Sequence, residues 1–426
     1  MTKKSEELKE SKELEETRAL EKLVESYKEK KDKVETIDEF LRKYNPWKGK
    51  DFDDLLDDFF AALKNDDKEF SWLKIDNGLY KELKDKNGRA ASIDYGIPSH
   101  VRGDIEKGTV FLCLVNPNID VKVAMCEACQ MKNEEDIKKY IFNPGSEGGI
   151  LYKEILELKG MKKLIGLKES DEDKNQEKNE IGYYTANYFN VILLAINDYK
   201  SKDEKEYEDL KKAVKSFETF ISNLEENDDK KPTNEENINI EDLNNFVEIS
   251  KKVVNLEAFP FRSSTPGFAI KEKNAGNRFA NCLVNSTSNV SMLSARIIIW
   301  KILEYLNSNG KKDKPVFIFR RFNRAWRPSI ENVLIEDFSE DGKDIDIDNI
   351  INELHEEFFY TIGPKDQDNM LKMGKNIYKN DDNIYEENEN ENDQDKENKG
   401  NKEAVFNEII INALTPKKEK KENKGI

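Results

Sequence analysis

Histidine is almost missing from this chain: there are two in 426 residues, His100 and His355. A nucleophile activated by a histidine base is therefore not expected. Cysteine is nearly as scarce, at four, too few for a disulfide framework and in keeping with a reducing compartment. Cys126 and Cys129 have the spacing of half a zinc site, but no second pair follows at metal-binding distance. No metal and no cofactor are expected. The glycine-rich stretch Gly145-Ser146-Glu147-Gly148-Gly149 lacks the lysine and spacing of a phosphate loop. No apolar run approaches the roughly 20 residues of a membrane helix, and residues 1–7 carry no apolar stretch of a signal peptide. These absences predict a soluble, cytoplasmic protein.

Charge is abundant and unevenly placed. The chain totals −17, with 37% charged and 37% hydrophobic residues, so part of it must lie in solvated helices or unpacked segments. Residues 251–330 hold fifteen Lys and Arg against four Asp and Glu. That block is net +11, which leaves −28 for the rest. A field follows local clustering rather than the total, so the block suits a polyanionic partner. The plainer account is acidic tails on a neutral core.

Leu8, Leu14, Leu20, Leu23 and Val24 recur among Glu and Lys in residues 5–34, predicting a solvent-exposed helix. Thr36 and Glu39 form a capping-box pattern ahead of a second helix, and residues 52–63 predict a third. Three apolar runs rich in β-formers follow, at 108–115, 253–259 and 316–319. Each is bounded by turn residues and reads as a strand buried on both faces. Residues 290–306, after Ser288 as N-cap, predict a core-facing helix between the last two. Strand, helix, strand implies a parallel crossover. The expected fold is α/β and three-layered, a short parallel central sheet flanked by helices with an added helical N-terminal region. The expected divisions are 1–88 helical and charged, 89–335 the core with polar insertions near 169–180 and 224–245, and 336–426 an acidic, partly disordered tail. Residues 379–402 are low in complexity, and the apolar run 404–414 suits a docking helix.

Ligands in such sheets sit at the carboxyl ends of the strands, where three polar segments fall. Asn116 and Asn118 follow the first strand in Val115-Asn116-Pro117-Asn118, with Asn116 suited to orient a water or read a base edge. The alternative is an ordinary turn. Arg262, Ser263 and Ser264 follow the second strand and suit phosphate contact, with an exposed polar loop as the alternative. Arg320, Arg321 and Arg324 alternate with Phe322 and Trp326 after the third. Arginines pair with phosphates while aromatics stack on bases; the competing account folds Trp326 into the core.

A buried strand ending in Asn116-Pro117, a second leading into Phe259-Pro260-Phe261-Arg262-Ser263, and a third followed by arginine and tryptophan resemble the uracil-DNA glycosylase superfamily, closest to its divergent bacterial members. The resemblance covers roughly residues 93–330. It implies a four-stranded parallel sheet with a base pocket at the strand ends, and metal-free hydrolysis of an N-glycosidic bond after base flipping. It implies that Asn116 positions the water, that Asn255 recognises the base with Asn118 nearby, and that Phe142 stacks on it. By analogy it implies DNA as partner, single-stranded or modified DNA included, and a role in defence against foreign DNA. The family's final His-Pro-Ser loop is missing, and Arg320-Arg321-Phe322-Asn323 stands in its place. That loss, with Asn rather than Asp at 116, argues against efficient uracil excision. The alternative expectation is a non-catalytic binding or scaffolding protein acting through partners at its N-terminal helices or acidic tail.

Overall fold

The computed structural model describes residues 18–30, 32–87, 91–117, 131, 133–168, 181–190, 192–193, 196, 207–225, 238–263, 275–339, 345–362, 377–378 and 407–415. Seven strands form one sheet: β1 (Val101–Arg102), β2 (Val110–Leu114), β3 (Phe142–Asn143), β4 (Val253–Glu257), β5 (Val316–Phe319), β6 (Phe359–Ile362) and β7 (Ile377–Tyr378). Their order is β3-β1-β4-β2-β5-β6-β7. The middle four run parallel. β1 lies antiparallel to β4, β7 antiparallel to β6, and β3 parallel to β1. The fold is α/β and three-layered, with helices on both faces of the sheet.

The apolar runs work because successive side chains feed opposite layers. Phe111 and Cys113 of β2 enter one cluster, while Val110, Leu112 and Leu114 enter the other. Phe111 stacks on its register partner Phe317 with ring centroids 4.8 Å apart. The first cluster contains the helix Asn289–Asn307, whose N-cap Ser288 accepts from the Ser291 amide at 3.2 Å. The second contains helices Glu208–Glu225 and Ile240–Ser250, locked by Phe217 stacked on Phe246 at 4.0 Å.

Three expected divisions differ from the structure. Leu20, Leu23 and Val24 of the helix Ala19–Glu29 are buried in the same cluster as Phe317, so this helix is docked rather than solvent-exposed. The N-terminal helices share one core with the sheet: Trp47 is buried and its Nε1 donates to His100 Nδ1 at 3.1 Å. Burial holds His100 down at about 3, so the ring is neutral and able to accept that bond. The core also extends past 335, because β6 is the fourth parallel strand and helix Ile347–Glu357 packs with it. Within the expected insertion at 224–245, Asn239 caps a helix whose Leu243 is fully buried. Residues 407–414 form a helix with Ile410, Ile411 and Leu414 in the second cluster. Residues 169–180 and 379–402 lie outside the described residues.

Gly108 marks where the chain turns into β2. A Cβ there would stand 2.8 Å from the Asp104 carbonyl oxygen and closer still to Val254 Cγ2. Backbone cannot retreat as a side-chain tip can. Gly108→Ala is expected to cost about 1–3 kcal/mol by overpacking, seen as a lower midpoint in urea unfolding with an unchanged slope. No helix among the described residues is long and apolar enough to cross a membrane.

Candidate functional site

Parallel strands in register bring three segments to one edge. Leu114 of β2 pairs with Glu257 of β4, and Cys113 pairs with Phe319 of β5, so all three strands end together. After β2 the chain passes helix Glu134–Ile141 and β3 in the first cluster and then crosses to β4 through Ile150–Leu156, Glu208–Glu225 and Ile240–Ser250 in the second. After β5 it runs through Arg327–Phe338 and Ile347–Glu357 in the first. The crossovers from the neighbours β2 and β5 therefore lie on opposite faces, the switch point where such sheets hold ligands.

Asn116 links two of these ends. Its Nδ2 donates to the Phe261 carbonyl at 3.2 Å and to Ser263 Oγ at 2.9 Å, and also lies 3.2 Å from the Pro117 carbonyl. The amide nitrogen is thus committed, and Oδ1 is the atom left to accept from a water. Asn116 and Ser263 are half-buried side by side. Asn118 and Ser264 lie outside the described residues, as do Cys126 and Cys129. Among the described residues no group of three His, Cys, Asp or Glu could hold a metal.

After β5 the arginines stay together. Arg320 continues the pairing with β2 by donating its backbone N–H to the Cys113 carbonyl at 2.9 Å. Arg321 adopts the left-handed conformation, φ 58° and ψ 48°, which a non-glycine residue enters at a cost of about 1–2 kcal/mol. Such strain gathers at functional turns. The chain then winds one π-helical segment, Phe322–Trp326, that carries Arg324. All three arginines are half-buried.

Three expected contacts are corrected. Trp326 is fully buried and packs edge-on against Phe319 at 5.4 Å, so its ring is not presented for stacking on bases. Arg262 points inward: it is 7% exposed, its Nε donates to the Ile97 carbonyl at 2.9 Å, and its Nη2 bonds the Tyr140 hydroxyl. That guanidinium braces the loop instead of facing a phosphate. Phe142 of β3 pairs with Val101, which pairs with Leu256, and all three sit in the first cluster. Asn255 points to the other face, beside Arg102 in register, so Phe142 and Asn255 do not share a pocket.

Glu257 was missed by sequence reasoning, although a carboxylate inside an apolar strand run was a signal. It ends β4 on the same face as Asn255 and is 2% exposed. Asn255, itself 4% exposed, donates Nδ2 to Glu257 Oε1 at 3.1 Å. Glu257 Oε2 and Asn255 Oδ1 are both buried with no hydrogen-bond partner among the described residues. Burial pushes the Glu257 carboxyl up to about 8, against the opposing pull of the Asn255 donor and of Arg102, Arg262 and Arg320. Near neutral pH it is a carboxylic acid, able to donate as well as accept.

The surroundings are aromatic and cationic. Arg102 stacks over Tyr140 at 4.0 Å while its Nε donates to Ser99 Oγ at 3.0 Å. Tyr184 precedes and Tyr188 lies within a second π-helical segment, Thr185–Phe189, and burial raises both hydroxyls. Glu154 anchors that segment by accepting from the Thr185 amide at 2.8 Å and its hydroxyl at 2.6 Å. Buried polar groups are nearly always paired, and these two orphan oxygens belong to residues two apart at the end of one strand. Compared with family models, with curated proteins and with solved structures, the chain matches none, and its own geometry carries the functional reading.

Proposed function

We propose that this chain is a nucleic-acid-directed protein that takes an unpaired base at the carboxyl ends of β2, β4 and β5. The observation that carries the reading is the convergence at one switch point of Asn116 with Ser263, of the Asn255–Glu257 pair, and of Arg320, Arg321 and Arg324. Asn255 and Glu257 supply polar groups for a base edge, and the arginines supply phosphate contacts without sequence preference. Asn116, with its amide nitrogen tied to two backbone or hydroxyl acceptors across the loop, keeps Oδ1 for a water.

Two measurements test this. Binding to single- and double-stranded DNA should weaken steeply with salt, as phosphate contacts require. Incubation with base-modified DNA followed by alkaline cleavage then reports abasic sites. If sites form and are lost in Asn116→Ala, the protein excises the base. Salt-steep binding without abasic sites assigns it to recognition alone, a reading favoured by the use of Asn116 as a strut between loops. Salt-insensitive or absent binding overturns the proposal.

A further inference from the structure

The base site proposed above leaves one question that its geometry answers further: which edge it reads. We propose that Glu257 is the specificity-determining residue of that site, donating from Oε2–H to an acceptor on a heterocycle whose adjacent N–H is accepted by Asn255 Oδ1. This rests on the base-recognition reading and adds to it a residue and an edge type.

The case begins with the two orphan atoms. Glu257 Oε2 and Asn255 Oδ1 belong to residues two apart on one strand, so both side chains project from the same face. Their inner atoms are already bonded to each other, Asn255 Nδ2 to Glu257 Oε1 at 3.1 Å. That internal bond fixes the pair and leaves one atom of each for a third party. A partner-free polar atom in the interior is costly, and two on neighbouring same-face residues at the carboxyl end of a central strand make a two-point hydrogen-bond site.

The protonation state sets what the pair can read. The charged groups around Glu257 are Arg102 from β1, Arg262 beyond β4 and Arg320 beyond β5, and the titratable Tyr184 and Tyr188 lie near it as well; the Cys113 thiol of β2 is on the opposite face of the sheet. Three guanidiniums favour the carboxylate, yet desolvation outweighs them and the group stays protonated up to about pH 8. As an acid, Glu257 donates while Asn255 accepts. The pair then fits an acceptor beside an N–H, as on uracil, cytosine or adenine. Once ionised, both atoms accept, and the fit moves to two adjacent donors, as on the Watson–Crick edge of guanine.

The test uses the full chain and short single strands of abasic tetrahydrofuran residues carrying one central adenine, cytosine, guanine or uracil. The quantity read is the affinity of each strand relative to the wholly abasic one, from pH 6 to 9.5. For wild type, the preference for at least one of uracil, cytosine or adenine should hold to about pH 8 and then fall about tenfold per pH unit, while guanine does not lose ground. Glu257→Gln keeps a donor that does not titrate, so its preference should be flat across the range. Glu257→Leu should lose the preference at every pH while its binding to the abasic strand keeps the wild-type salt slope. If wild type and Glu257→Gln share one pH profile, or Glu257→Leu retains the preference, the inference fails and base recognition by other groups stands. If no strand binds at all, the base-recognition reading falls with it.

Discussion

Glu257→Gln is expected to be more stable than wild type, by a margin that grows with pH. The folded carboxyl titrates near 8, whereas its ordinary value is 4.5. Between those two values the folded state holds a proton that the unfolded chain has released. Unfolding then discharges a proton, so wild-type stability declines as pH rises, at about 1.4 kcal/mol per unit. The decline starts near pH 4.5, ends near pH 8, and amounts to about 3 kcal/mol at pH 7. Glutamine offers the same Oε1 to Asn255, puts an N–H where the acid had its O–H, and has nothing to ionise. Thermal melts should therefore converge for the two proteins near pH 4.5 and separate by roughly 5–10 °C at pH 7 to 8. His100 acts in a different window. Its ring, buried and held at about 3, costs stability only as pH falls below its ordinary 6.5, and equally in both proteins. Superimposable melts from pH 5 to 9 would mean that the folded Glu257 carboxyl titrates at its ordinary value, and a glutamine variant less stable than wild type would mean that it is ionised and paired in the fold.

Legibility in the sequence followed chain-local signals. The runs at β2, β4 and β5 were readable because each is apolar throughout and bounded by turn residues, and Ser288 marked the start of its helix. β6 was not, because four residues, Phe359–Ile362, follow an acidic helix with no periodicity to separate them from it. β1 and β3 are two residues each, too short for any alternation to register. The leucine spacing at 20–24 announced an apolar stripe, but a stripe does not say that the sheet's own core covers it.

The site residues show the same boundary between local and tertiary information. An arginine beside aromatics reads alike whether the aromatic meets water or core, and Trp326 went inward. Arg262 sits in a loop that looked exposed, but the Ile97 carbonyl and Tyr140 arrive from segments 165 and 122 residues away. Phe142 and Asn255 were separated by strand alternation once β1 fixed the register between them. For Glu257 the information was present in the sequence, since a carboxylate at the end of a buried strand must either find a cation or give up its charge.

The basic block can now be divided by what each cation does. Arg296 forms a two-pronged pair with Asp337 at 2.8 and 3.0 Å, Lys301 meets Glu304 at 2.8 Å, and Arg327 meets Glu331 and Asp348. Arg262 is buried on a carbonyl and a phenol. Counting +11 over residues 251–330 overlooks Glu331, Asp337 and Asp348, which lie beyond the block. Arg320, Arg321 and Arg324 stand together at the strand ends, half-buried on a turn whose left-handed residue is itself an arginine. Reversing all three to glutamate is therefore expected to lower affinity for single-stranded DNA by at least about 100-fold near 0.1 M salt. The log–log salt slope should flatten by about 2 on single strands and somewhat more on duplex. Replacing them with lysine should keep the slope, because a point charge still displaces counterions, while weakening binding where a guanidinium fork grips phosphate. Melting temperature measured alongside separates lost contact from lost fold, since the half-buried arginines also pack. An unchanged slope in a folded triple glutamate variant would place the phosphate contacts elsewhere on the molecule and remove the strand ends from the nucleic-acid reading.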